Sequence, residues 1–131
     1  VKTTTPETIP LPRMHSQYAG GVAMGVMAGQ DGKPDYLLIL HSLSPERMTF
    51  EQALAWSKAA SGEDGPTLPE LAMLFANRRE GQFAKEWHWS VTPSAGAERY
   101  AWVQIFYDGG QYGTLKDGAC RAVAVRRVPF K

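Results

Sequence analysis

Apolar and polar positions alternate most regularly between Trp87 and Val128, in the runs Trp87-His88-Trp89-Ser90, Tyr100 to Tyr107 and Ala119 to Val128. The turns Asp108-Gly109-Gly110 and Lys116-Asp117-Gly118 punctuate them, and a period of two broken by glycine turns predicts an antiparallel sheet with one face inside. Upstream, Gly20 to Ala28 and Tyr36 to Leu40 flank a turn at Gly29 to Asp35, which predicts a hairpin within Tyr18 to Leu43. Its second arm is apolar at every position, the pattern of a central strand covered on both faces.

Between hairpin and sheet the period lengthens to that of a helix. Thr49 with Gln52 three residues later is a reciprocal capping pair, and Phe50, Ala53, Leu54, Trp56 and Ser57 follow at helical spacing until Gly62. Thr67-Leu68-Pro69-Glu70 repeats the signal, with proline in the first turn where its missing N–H costs nothing. Leu68, Leu71, Ala72, Leu74 and Phe75 mark the buried face of this second helix, predicted to end near Gly81. The expected class is α+β, two helices beside a twisted antiparallel sheet with an N-terminal hairpin. Val1 to Pro12 carries four threonines and three prolines, so residues 1–17 are read as an extended arm and 18–131 as the folded domain.

Alternation along Tyr100 to Tyr107 sorts two largely apolar sets. Bulk assigns Trp102 and Phe106 inward, leaving Val103, Ile105 and Tyr107 on the other face, joined across the turn by Tyr112. That face is either an exposed binding patch or is covered by the loop Val91 to Arg99 or by an oligomer contact. Tyrosine and tryptophan serve recognition surfaces and cores equally well. His88, between two tryptophans, and Lys116, in the turn, complete the candidate binding set: Val103, Ile105, Tyr107, Tyr112, His88 and Lys116. A satisfied structural histidine is the competing reading of His88.

The 131 residues suit one domain, and a 44% apolar content can fill one core. Fourteen basic against thirteen acidic residues leave +1, too little for counterion-driven nucleic-acid binding; Arg121, Arg126, Arg127 and Lys131 are the one basic cluster. No run reaches the roughly 18 apolar residues of a membrane span and no export signal is visible, so a soluble protein is expected. Cys120 alone allows neither an intrachain disulfide nor a cysteine-rich zinc site, and reads as a buried hydrophobe. His15, His41 and His88 lack ligand spacing, Glu51 and Glu70 sit at helix starts where a carboxylate favours the dipole, and Gly20-Gly21 precedes a strand instead of opening a helix. No catalytic residue, metal site or cofactor is assigned.

The order of motifs as a whole, Met48-Thr49-Phe50-Glu51-Gln52-Ala53-Leu54-Ala55-Trp56, Leu68-Pro69-Glu70-Leu71, Trp87-His88-Trp89-Ser90, Ala101-Trp102, Asp108-Gly109 and Arg121 to Val128, resembles the Lcl C-terminal-type domains of bacteria and their phages. The resemblance covers roughly residues 18 to 129 and is strongest to small phage-encoded members. Such domains are similar in fold to C-type lectins, to formylglycine-generating enzymes and to the variable proteins of diversity-generating retroelements. The resemblance implies a C-type-lectin-like fold, with the last sheet and its loops as the ligand face. The chain departs from the pattern in a shortened segment between Leu68-Pro69 and Glu70-Leu71. It lacks the second thiol of the copper-holding enzymes and the oxygen-ligand triplets of calcium lectins; Val103 and Gln104 after Trp102 offer at most one neutral oxygen.

The expected function is therefore non-enzymatic: a phage or prophage module that binds a host or phage protein, either as an inhibitor of a host defence protein in the bacterial cytoplasm or as a virion or tail-associated receptor-recognition protein, with an enzyme of unknown activity as the distant alternative. No membrane or nucleic-acid partner is expected, and a homo-oligomer is open.

Overall fold

Two reciprocal caps start the helices. In the computed structural model, which describes residues 11–94 and 96–129, helix α1 spans Phe50–Ser61 and helix α2 spans Leu68–Asn77. Thr49 with Gln52, and Thr67 with Glu70, close both halves of a capping box. Gly62 ends α1 in the left-handed region (φ 81°), its N–H donating to the Lys58 carbonyl at 2.8 Å. Helix α2 stops a turn earlier than predicted. Arg78 is extended and its N–H turns to the Phe75 carbonyl, Asn77 donates through Nδ2 to the Met24 carbonyl at 2.8 Å, and Gln82 Oε1 accepts the Arg79 N–H at 3.0 Å. The Arg78 and Arg79 contacts satisfy N–H groups that a longer helix would pair internally, and the Asn77 amide ties the helix end to β2.

Strands β1 (Gln17–Tyr18), β2 (Gly21–Met27), β3 (Tyr36–Met48), β4 (Trp87–Pro93), β5 (Tyr100–Ile105), β6 (Gln111–Leu115) and β7 (Cys120–Pro129) form one seven-stranded sheet in the order β1-β2-β3-β7-β4-β5-β6. The hairpin β2–β3 is where the sequence puts it. The expected antiparallel sheet is mixed, because β7 runs parallel to β4 with His88 opposite Arg121. The last strand thus enters the middle of the sheet, beside β3, and leaves β6 as an open edge. Most of the arm predicted over 1–17 lies outside the described residues. No helix among the described residues is long and apolar enough to cross a membrane.

Alternation along β7 divides the core. Cys120 and Ala122 join Phe50 and Ala53 of α1 with Trp89, Ala101 and Val103, whereas Val123 and Val125 join Leu71 and Leu74 of α2 with Leu38, Leu40 and Phe106. Both faces of the central strands are therefore covered, and β5 shows the consequence. Val103 and Ile105 are buried (0% and 3% exposed), while Trp102 is only half-buried. The inward assignment of Trp102 by bulk is corrected: Ala101, Val103 and Ile105 fill the α1 side, and burying a side chain such as Val103 contributes about 1.5–3 kcal/mol. Phe106 is buried as expected, against Phe83 and Phe75.

Candidate functional site

Of the six sequence-derived positions, Tyr107 and Tyr112 are exposed (56% and 52%) and the structure brings them to one end of the sheet. Val103 and Ile105 are core and offer no contact surface. His88 is also corrected to the core. It is 1% exposed, its ring lies 4.4 Å from that of Phe106 and 6.0 Å from that of Phe83, and Nδ1 sits 2.9 Å from the Glu86 carbonyl. A carbonyl only accepts, so Nδ1 carries the proton. Burial pushes the His88 pKa down to about 4, against the opposing pull of Glu86. Lys116 is half-buried and structural: its carbonyl accepts the Phe50 N–H at 2.9 Å, its own N–H donates to the Arg99 carbonyl, and its ammonium lies 5.3 Å from the Phe50 ring centre.

Around Tyr107 and Tyr112 a site assembles from residues far apart in sequence. Tyr112 on β6 faces Val103 in register, and Ile105 faces Trp87 across β5–β4, so Trp87 and Tyr112 rise from the same side of the sheet. Their rings stack at 6.5 Å between centres and 23° between planes. Trp87 keeps 37% of its surface exposed, because β4 leaves the helix-covered zone there, one position pair before the fully buried Trp89. A groove of about 380 Å³ runs beside this stack, walled by Trp87, Tyr107 and Thr114 and bordered by Arg47, Lys85 and Glu86. On the other side of Lys85 and Tyr107 a second groove of about 320 Å³ is lined by Arg78, Arg79, Glu80, Phe83 and Phe106. Lys85 and Tyr107 are common to both and form the ridge between them.

Glu86 fixes the electrostatics of the first groove. Its Oε1 accepts from Arg47 Nε at 2.6 Å and its Oε2 from Arg121 Nη2 at 3.0 Å, and these hydrogen bonds, Arg121 first, lower its pKa to about 2. It is ionised throughout the neutral range. Cys120 closes the floor but is 5% exposed, and burial pushes its thiol up to about 11, so it lies there as a neutral S–H. Among the described residues, no three His, Cys, Asp or Glu side chains are grouped to hold a metal ion. What the site presents is aromatic faces and cations.

A second polar cluster has the opposite character. Glu70, 0% exposed, accepts both prongs of the Arg127 guanidinium at 2.8 and 2.7 Å, the Tyr36 hydroxyl at 2.6 Å and the Thr67 N–H at 2.9 Å. Burial works to raise the Glu70 pKa, and the hydrogen bonds from Arg127, Tyr36 and Thr67 outweigh it, so the carboxyl stays below its ordinary value. Burial first, then the bond to Glu70, pushes the Tyr36 hydroxyl up to about 12. Every Glu70 oxygen is saturated, so the cluster ties the start of α2 to β3 and β7 and has no oxygen left for a ligand.

The chain matches no protein-family model and no curated protein.

Sequence reasoning missed Arg47, Lys85, Glu86 and Trp87. Trp87 and Trp89 share one face of β4, but the helix covers only the Trp89 end. The usable signal is Lys85-Glu86-Trp87, a charged pair immediately before an aromatic strand start, where a strand emerges from the covered part of a sheet.

Proposed function

We propose that this chain is a non-enzymatic protein-binding module of C-type-lectin-like fold, phage or prophage-encoded, that holds a protein of the bacterial host through the rim formed by Trp87, Tyr107 and Tyr112. The observation that carries the reading is that exposed Trp87 and Tyr107 wall a groove between β4, β6 and the start of β7, with exposed Tyr112 stacked on Trp87 beside it. Large aromatics set around a partly desolvated depression are where binding energy concentrates in protein interfaces. The fold assignment draws on the order of sequence motifs and on two helices packed against a sheet whose last strand returns to its centre. Inhibition of a host defence protein is the role such a module would fill in the bacterial cytoplasm.

The test is capture from a host lysate with the purified chain, identified by mass spectrometry, alongside the double variant Tyr107→Ala, Tyr112→Ala. The reading predicts a partner retained by the parent and lost by a variant of unchanged thermal unfolding. A variant that retains the same partner contradicts it.

A further inference from the structure

We infer that the two grooves flanking the Lys85–Tyr107 ridge take one acidic linear segment of the partner protein, with an aromatic or apolar side chain of that segment against the ridge. The inference rests on the proposed binding role of this surface and adds the chemistry of what is bound. Four cations, Arg47, Arg78, Arg79 and Lys85, line the two grooves against two carboxylates, Glu80 and Glu86. Their surplus of two exceeds the net charge of the whole chain, +1, so positive charge is gathered at this end of the molecule. All four cations are exposed.

Pairing sharpens the surplus. Glu86 is already held by Arg47 and Arg121 together, so it does not neutralise the others. Arg78, Arg79 and Lys85 make no ion pair among the described residues. Arg78 is pre-positioned, its guanidinium 3.6 Å from the Phe75 ring centre while Nη1 donates to the Phe75 carbonyl, an arrangement that fixes a planar donor at the groove edge. Tyr107, between the cations, supplies apolar area with few rotamers to freeze. Arginine and lysine around an aromatic ridge complement carboxylates around an aromatic or aliphatic side chain.

A nucleic acid is the weaker fit. Phosphate tracking needs a run of cations without intervening acids, whereas Glu80 and Glu86 lie within these grooves and Asp108, which accepts the Gly110 N–H at 2.8 Å, follows Tyr107 directly.

The experiment is selection from a random twelve-residue peptide display library on the immobilised full chain, followed by titration of the best-enriched synthetic peptide. The inference predicts enrichment of Asp and Glu around an aromatic or aliphatic residue. It predicts at least about a tenfold affinity loss for Arg79→Glu, Lys85→Glu, and a comparable loss when salt rises from about 0.1 to about 1 M. Enrichment of neutral or basic peptides, or no enrichment, overturns it, as does tighter binding of a twelve-nucleotide oligothymidylate than of the peptide. The two readings fail separately. If the lysate partner is lost with the tyrosine double variant but kept by Arg79→Glu, Lys85→Glu, the binding rim stands and its acidic ligand does not; if the tyrosine variant keeps the partner, both fall.

Discussion

Strand β7 carries an Arg–Glu cluster near each end, and the two do different things. Arg127 meets Glu70 where α2 begins, with every carboxylate oxygen saturated and Glu70 fully buried. Arg121 meets Glu86 where the sheet runs out from under α1, with Arg47 on the outer side and a groove alongside. Removing one partner of a buried pair strands a charge in a medium that cannot solvate it, while an exposed pair is relieved by water. The same two residue types therefore hold the fold at one end and set the charge of a surface at the other.

The largest effect expected from this contrast is Arg127→Met. It leaves Glu70 buried and unpaired, and should lower stability by about 3 kcal/mol and Tm by about 10 °C. Arg47→Met at the other end should change stability far less than Arg127→Met, because Arg47 lies in solvent and Arg121 still holds Glu86. Denaturant titration of the two variants checks the pair, and equal losses would break the comparison.

Acid should separate the buried groups in order. The folded-state pKa of His88 is lowered from 6.5 to about 4, so its neutral burial contributes fully above pH 6.5 and is lost as pH falls toward 4, by up to about 3 kcal/mol. Glu70 is also lowered, so its contribution is present above the unfolded carboxyl range near 4.5 and disappears at lower pH. Unfolding free energy measured against pH should decline below 6.5 in the parent and stay flat from 6.5 to about 4.5 in His88→Asn.

A smaller loss is expected at Gly109, which closes the β5–β6 turn with φ 82° and where an added Cβ would meet the Phe75 ring at 2.7 Å. Gly109→Ala should destabilise by about 1–2 kcal/mol, and because Tyr107 is held by this turn it should also weaken partner binding. The smallest change in stability belongs to Tyr107→Ala, about 0.5 kcal/mol or less by thermal unfolding, with a binding loss of at least about tenfold by calorimetry.

Local signals in the chain carried much of this architecture. Thr49 with Gln52, Thr67 with Glu70, and Gly62 place both helix starts and one helix end, because capping is decided within a few residues. The unbroken apolar run Tyr36 to Leu40 correctly announces a strand covered on both faces. Where two faces are both buried, bulk no longer tells inside from outside, which is why it points Trp102 inward and Val103 and Ile105 outward, the reverse of what the fold does. The end of α2 depends on Met24 and Gln82 and the parallel β4–β7 pairing on the whole sheet, neither of which a local pattern contains. For the site, Tyr107 and Tyr112 were legible as aromatics flanking a glycine turn. Arg47, Lys85 and Arg79 were not, since Arg47 meets Lys85 only when β3 and the loop before β4 fold together, and Arg79 lines the neighbouring groove.

The most direct test of the central claim is amide chemical-shift mapping of the isotopically labelled chain as its captured partner, or the enriched peptide, is added. The account predicts perturbations confined to the surroundings of Arg47, Arg79, Lys85, Trp87, Tyr107 and Tyr112, with α1 and the Glu70–Arg127 cluster silent. Shifts that fall instead along the exposed face of α1 or on the β2–β3 hairpin would contradict it.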